Sequence, residues 1–293
     1  NELLEYYRTR VDVNNPNVNL INPTISEKDQ RIADQALEHR FYVKGFAESV
    51  DEVTKLETYY SFYDASAKKI DWNANEDKQK KEQEFRYQLH RHQWMLPQAK
   101  AYRISKDEKY IQSWIEAYGS WIETFPYTPG TIFPPAGGSE NDVDYQWKGL
   151  QVAERVLSQV DIMPYFIHST NFTPEWLSFF LIHFAEHADY LSMYKYSGEN
   201  NILLSQAVAL VFAGTLFPEL KNAPQWQKIG CEIINDQTTK LFLEDGMTND
   251  LSLHYHIGIV DGLYDLKRLI QLNKLPDNQL SPQLDETLLK ATK

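Results

Sequence analysis

From Ile202 to Phe217 the chain carries no charged side chain, and the run stops at Pro218. A helix that is apolar nearly all round has no face to give to water and must be buried on every side. Any fold open to this chain therefore has a central helix here, with other elements packed around it. The start of the run is different in kind. Gly198, Asn200 and Asn201 are polar or small and have no apolar surface to bury. At a helix N-terminus free N–H groups and the positive end of the dipole point outward, which suits an anionic ligand. A second unusual stretch, His254-Tyr255-His256, lies about one helical hairpin later, between Leu253 and Ile257. The two places are expected to form one site.

The rest of the chain reads as helices in pairs. Ser26 or Thr24 can cap a helix over about Glu27 to Glu38, and residues 68–84 are strongly charged, as a solvated segment would be. Phe85, Leu89, His92 and Leu96 share one helical face, with Trp94 on another, and Pro97 marks a kink or a new start. Tyr110, Trp114, Tyr118 and Trp121 repeat the period after a polar turn, Ser105 to Glu108, which makes a helical hairpin. Residues 126–144 hold four Pro and three Gly and read as a loop, either a rim or lid or a plain surface excursion. Helices then resume at about 147–160, 174–196, 201–217, 223–243, 252–272 and from 283, with Thr173-Pro174 as a start and Asp245-Gly246 as a turn. No run of alternating strands is visible. The expected fold is all-α, built of antiparallel hairpins, which can stack into a bundle, a solenoid or a toroid. Residues 1–84 are expected to form an N-terminal helical segment of the same domain, and residues 85–293 to carry the cleft.

Composition narrows the partners. A net charge of −12 argues against nucleic-acid binding through a basic surface. Basic residues gathered in one groove can still meet a polyanion. The 18 Tyr and 7 Trp suit either an aromatic core or a carbohydrate cleft, and composition by itself favours the core. A single cysteine, Cys231, excludes an internal disulfide. No apolar run reaches the ~18 residues of a membrane helix.

His183 and His187 have the i, i+4 spacing of zinc ligands but no third ligand, so they read as a packed pair and no metal is expected. His90-Arg91-His92 reads as mid-helix, with Arg91 suited to a carboxylate or sulfate or else part of a surface cluster. Trp147-Lys148 and Glu154-Arg155 flank the helix after the long loop and are candidates to line a cleft. Tyr255 stands between two histidines after a polar turn. Its phenol can donate a proton, or serve as a base where positive charge lowers its pKa. The bland alternative is a buried Tyr bonding a backbone carbonyl.

Taken in order, Trp147-Lys148-Gly149-Leu150, Glu154-Arg155-Val156, Phe172-Thr173-Pro174 and His187-Ala188-Asp189-Tyr190-Leu191-Ser192 form a series. Asn201, Phe212-Ala213-Gly214, Phe217-Pro218-Glu219 and His254-Tyr255-His256 continue it. The series, over roughly residues 85–272, resembles the heparinase III-like heparan-sulfate lyases of the heparinase II/III group. The resemblance implies an incomplete (α/α) toroid with a deep groove, and eliminative cleavage of a uronic-acid polysaccharide. It implies that Asn201 neutralises the uronate carboxylate and Tyr255 takes part in proton transfer. Arg91, Trp147, Lys148, Arg155, Asn200, His254 and His256 are the residues expected to bind substrate. The family often has His after that Asn, where this chain has Ile202, and an acidic helix position reads Gln206, so altered specificity is expected. Family members continue into a β-sandwich domain that supplies a further catalytic His, while this sequence stops at Lys293.

The expected partner is an acidic polysaccharide of heparan-sulfate type, with no cofactor, no nucleic acid and no membrane span. The expected state is a monomer in the periplasm or outside the cell. A toroidal glycoside hydrolase stays open through Glu154, Asp189 and Glu199, as does a non-catalytic glycan-binding protein, which would not need Tyr255. Arg91, Lys148 and Arg155 are expected to make the cleft locally positive.

Overall fold

The computed structural model describes residues 1–46, 57–73, 83–130, 145–276 and 279–292. Helices α1 (Glu2–Thr9) and α2 (Glu27–Leu37) open the chain. Strands β1 (Arg40–Phe41) and β2 (Tyr60–Ser61) follow, then β3 (Tyr63–Asp64) and β4 (Lys69–Ile70). After α3 (Gln83–Leu89) come α4 (Leu96–Ser105), α5 (Lys109–Thr124), α6 (Gly149–Phe166) and α7 (Pro174–Met193). The array ends with α8 (Asn201–Leu216), α9 (Ala223–Leu241), α10 (Leu253–Leu272) and α11 (Gln283–Ala291). Single 3-10 turns, Gln93–Met95 and Tyr145–Trp147, lead into α4 and α6. The chain is mostly helical, as its periodicity requires. The strands form two antiparallel ladders, with Arg40 opposite Ser61 and Tyr63 opposite Ile70. They correct the strand-free expectation for the N-terminal segment. Two residues per strand are too few to leave a period-2 trace. Most of the Pro- and Gly-rich stretch, 131–144, lies outside the described residues.

The uncharged run is the central helix. Every residue of α8 from Gln206 to Leu216 is buried, and α8 packs against α6, α7, α9 and α10. Truncating one of its Leu or Phe side chains to Ala would cost about 2–5 kcal/mol. The approach of α9 depends on Gly230, where a Cβ would stand 2.6 Å from the Ala207 carbonyl oxygen. The helix after the long loop runs to Phe166, beyond the expected end near residue 160, although Pro164 interrupts it. Pro164 has no N–H for the carbonyl of Val160. That carbonyl instead accepts from Asn15 Nδ2 at 3.1 Å, so a residue of the N-terminal segment completes the last turn.

Residues 6–20 act as a strap across the array. Tyr6, Tyr7 and Arg10 all reach Glu219, at 2.6, 3.0 and 3.0 Å. Asn14 exchanges two hydrogen bonds with Asn273, its N–H donating to Oδ1 at 2.7 Å and its carbonyl accepting from Nδ2 at 2.8 Å. Leu20 O accepts from Arg103 at 2.7 Å.

Beneath the strap, Asp161 Oδ1 accepts from Asn15 Nδ2 at 2.8 Å. Burial pushes the Asp161 carboxyl up to about 7, against the opposing pull of its amide partners Asn15 and Asn17. Asp265 adds to the rise and Lys100 opposes it. A raised carboxyl pKa means that the folded state holds a proton the unfolded chain has released. Stability is therefore full below pH ~4 and is lost as pH rises toward 7. Asp161→Asn keeps an acceptor for Asn15 and removes the charge. At pH 8 it is expected to stabilise the protein by roughly 2–4 kcal/mol, with the gain vanishing near pH 4. Chemical denaturation at the two pH values measures this, and an equal effect at both would contradict it.

Candidate active site

Helices α4, α6, α8 and α10 pack one on the next as an inner row, and α5, α7 and α9 return between them. The inner helices thus run parallel; α6, α8 and α10 start at one end, and α4 begins beside the middle of α6, where Gln159 Nε2 meets Met95 Sδ at 3.5 Å. Short contacts mark that end. Trp147 Nε1, just before α6, donates to Phe125 O at the close of α5 at 3.2 Å. Glu199, just before α8, pairs with Lys240 in the last turn of α9 at 2.9 Å. Asn249 N–H donates to Leu241 O at 2.8 Å as the chain turns into α10. One end of the array therefore gathers the starts of α6, α8 and α10, and with them Trp147, Lys148, Asn200, Asn201, His254, Tyr255 and His256, while Arg91 lies beside the first turn of α6 and Arg155 about two turns into it.

Asn200 is the N-cap of α8, and its Oδ1 accepts from the N–H groups of Ile202 at 3.0 Å and Leu203 at 3.3 Å. This is the work an Asn does best at a cap. Its expected part in binding is corrected to that extent, because the acceptor faces its own helix. Asn201 is the first residue of α8 and half-buried, and among the described residues its amide has no side-chain hydrogen bond. The histidines around Tyr255 divide. His254 is exposed, with its ring 5.7 Å from that of Tyr255. His256 is buried and donates Nε2–H to Ala291 O of α11 at 3.1 Å. His256 is therefore a tie between helices rather than a substrate contact. Tyr255 is 51% exposed, and among the described residues its hydroxyl bonds no carbonyl. That removes the reading of a buried structural phenol.

The basic residues meet in one place, at different depths. The chain leaves α3 at Leu89, turns through His92 in a left-handed conformation (φ 61°), and re-enters helix at Gln93. His90-Arg91-His92 is thus a break between helices and not mid-helix. One face of α6 clasps this break. Arg155 Nη1 donates to His90 O at 2.8 Å, Ser158 Oγ to Arg91 O at 3.0 Å, and Gln159 Nε2 to His92 Nδ1 at 3.2 Å. Arg91 donates to Gln151 Oε1 at 3.3 Å and pairs with Glu84 at 3.4 Å. Lys148 is buried and donates Nζ–H to Tyr87 OH at 2.7 Å.

Arg155 is 1% exposed and Trp147 is buried with it. Neither presents surface to a ligand, so their expected place on the cleft wall is corrected to one beneath it. The Arg155 guanidinium lies 4.1 Å from the Trp121 ring centroid and 5.4 Å from that of Trp147. Among the described residues no carboxylate pairs with it, and its Nε and Nη2 have no hydrogen-bond partner. Burial lowers its pKa to about 9, so it stays charged at neutral pH. Burial, followed by the Arg155 charge, holds His90, His92 and His187 well below the usual histidine range. The geometry agrees, because Trp121 Nε1 donates to His90 Nδ1 at 2.9 Å and that nitrogen carries no proton. His187 donates Nδ1–H to His183 O at 2.6 Å and stacks on Trp147, the packed arrangement expected for this pair.

The carboxylates of the hydrolase reading are engaged elsewhere. Glu154 accepts from Gln93, Asp189 from Asn222 and Trp226, and Glu199 pairs with Lys240. Among the described residues a cavity of about 970 Å³ runs along the outer side of α5, against Trp72, Glu116, Glu123, Glu175, Trp176 and Phe179. Its lining holds four carboxylates, Asp71, Glu116, Glu123 and Glu175, against the two lysines Lys68 and Lys69, a balance that does not favour an acidic polymer. Gln151, Ser158 and Gln159 were missed in the sequence. Their signal was a polar stripe on an otherwise apolar helix, at spacings of seven and one.

Because the Arg155 fork both stacks and bonds, Lys cannot replace it. Arg155→Lys is expected to lower stability by about 2–3 kcal/mol, through the lost stack and the orphaned His90 carbonyl. Urea denaturation tests this, and an unchanged midpoint would show that charge alone is what the site needs.

Comparison with known proteins bears on the whole chain. Residues 1–292 match the family described as heparinase II/III N-terminus. A heparin-sulfate lyase of Bacteroides thetaiotaomicron is 47% identical over 99% of this chain and 39% of its own length. One from Pedobacter heparinus is 32% identical over 88% of this chain and 36% of its own. Among solved structures, a heparinase III superposes with a TM-score of 0.85 at 46% identity, over 99% of this chain and 41% of that one. The heparan sulfate lyase HepC of Pedobacter heparinus gives 0.73 at 29% identity, over 99% and 42%. This chain spans about two-fifths of the length of these relatives. With the family match extending over nearly every residue, the chain belongs to the heparinase II/III family, in its N-terminal helical part.

Proposed function

We propose that this chain is the helical part of a polysaccharide lyase that cleaves a uronic-acid-containing glycosaminoglycan, heparan sulfate-like, by β-elimination. The observation that carries the reading is the 47% identity, over 99% of the chain, to a relative named heparin-sulfate lyase. The common end of α6, α8 and α10 supports it, since Asn201 and Tyr255 lie in the first turns of α8 and α10, and among the described residues neither side chain has a hydrogen-bond partner.

In the reaction a base removes the C5 proton of the uronate, the electron pair forms the C4–C5 double bond, and the C4–oxygen bond breaks. Protonation of the leaving oxygen completes the balance. The C5 proton is only weakly acidic while the carboxylate is anionic. Asn201 Nδ2–H is assigned to the carboxylate, where one preorganised donor is worth about 3–4 kcal/mol as charge develops. The Tyr255 phenol is assigned to the proton transfer, a role worth about 10²–10⁴-fold. Arg91 and His254 are the side chains at this end assigned to hold the anionic polymer. Lys148 acts through the start of α6 that it precedes. The chemistry draws on no metal or organic cofactor. Export to the periplasm or beyond, and a monomeric state, are part of the proposal because the polymer lies outside the cell.

Tyr255→Phe removes one hydroxyl from an exposed ring, so melting temperature is expected to hold within about a degree. In the full-length protein kcat is expected to fall about 10²-fold or more. Asn201→Ala is expected to depress kcat as well. Ultraviolet absorbance of the unsaturated uronate product follows both. Near-normal turnover with a lowered melting temperature would remove Tyr255 from the mechanism.

A further inference from the structure

Gln206 lies in the second turn of α8 and is 1% exposed, so it faces no substrate. Any effect of this position on specificity therefore acts through the residues it holds. Its Oε1 accepts from Tyr196 N–H at 2.8 Å and its Nε2 donates to Tyr194 O at 3.4 Å. The same amide lies flat on the start of α6, where a Cβ on Gly149 would stand 1.8 Å from Nε2. One side chain thus joins three backbone segments. They are the loop that leaves α7, the first residue of α6, and α8 itself.

The resemblance puts an acidic residue at this position in other family members, but the partners present in this chain match an amide. One acceptor must meet an N–H and one donor must meet a carbonyl, inside the protein. A carboxylate would turn a second acceptor on the Tyr194 carbonyl. A hydrocarbon would leave two backbone groups without their partner. Two walls of the rim meet here. Lys148 precedes Gly149 on one side, and the loop held by Gln206 delivers Asn200 and Asn201 on the other.

We propose that Gln206 is a positioning residue, whose amide sets the spacing between the starts of α6 and α8 and so places Asn201 without touching substrate. The proposal rests on the lyase reading above. A displacement of about 1 Å at a reacting group can cost ~10²-fold, so even a partial shift is measurable.

The test is Gln206→Glu in the full-length protein, assayed by unsaturated-product formation from heparan sulfate between pH 5.5 and 8. Each rate is taken as a ratio to the parent at the same pH. At pH 8 the ratio of kcat/KM is expected to fall about 10-fold or more. It is expected to climb back toward one at pH 5.5, because a protonated carboxyl has one donor and one acceptor, as the amide does. A ratio that does not change with pH overturns the proposal, whether it stays near one or stays low beside a reduced melting temperature. Gly149→Ala pushes a methyl into the same amide and is expected to lose activity non-additively with Gln206→Ala. Additive losses overturn the proposal too. A parent inactive on this polymer sinks the lyase reading and this proposal with it, whereas an active parent with a flat ratio sinks this proposal alone.

Discussion

A buried guanidinium with no carboxylate beside it among the described residues holds the site end together. Arg155 is stacked against Trp121 and fixes the carbonyl of His90, where the chain breaks between α3 and α4. An isolated charge in a protein interior is costly unless its surroundings solvate it. Here aromatic faces and a carbonyl do so, and the neighbouring imidazoles stay neutral. The neutrality matters, because a protonated His90 or His92 would repel Arg155 across a medium with little screening. The position of α4 against α6, and hence the first pair of the inner row, follows from this cluster.

The placement of positive potential is the second consequence. The chain carries a net charge of −12, and its basic side chains at the site end are mostly buried or paired. What the surface offers an anion is largely backbone, since the inner helices α6, α8 and α10 begin there in parallel. Each start contributes about half a positive charge, effective within the first turn. An acidic protein can present an anion-friendly edge in this way without a basic stripe in its sequence.

Much of this was legible in the sequence, and for identifiable reasons. The run from Ile202 to Phe217 could only be a buried helix, and its polar start could only sit at an edge. The hairpin turn at Lys106 and the start at Thr173-Pro174 were visible because caps and turns have strong residue preferences. The break at His92 was not, because a left-handed histidine leaves the apolar spacing on either side intact. Nor was the depth of Arg155 and Lys148. Periodicity says which residues share a face, and tertiary packing decides which face is inside. Gln206 looked like a departure at a functional position, while its actual demand, one donor and one acceptor, exists only once three segments have met.

The strap has a kinetic meaning. Hairpins such as α4–α5 and α8–α9 are made of contacts close in sequence and can form locally. The bonds from Tyr6 to Glu219 and from Asn14 to Asn273 span 213 and 259 residues. Closing loops of that length is the slow part of any folding reaction. The strap therefore comes last, and once in place it couples the first hairpins to the last. An array that could otherwise fray one pair at a time opens as a ring does, only by letting go of the same few bonds.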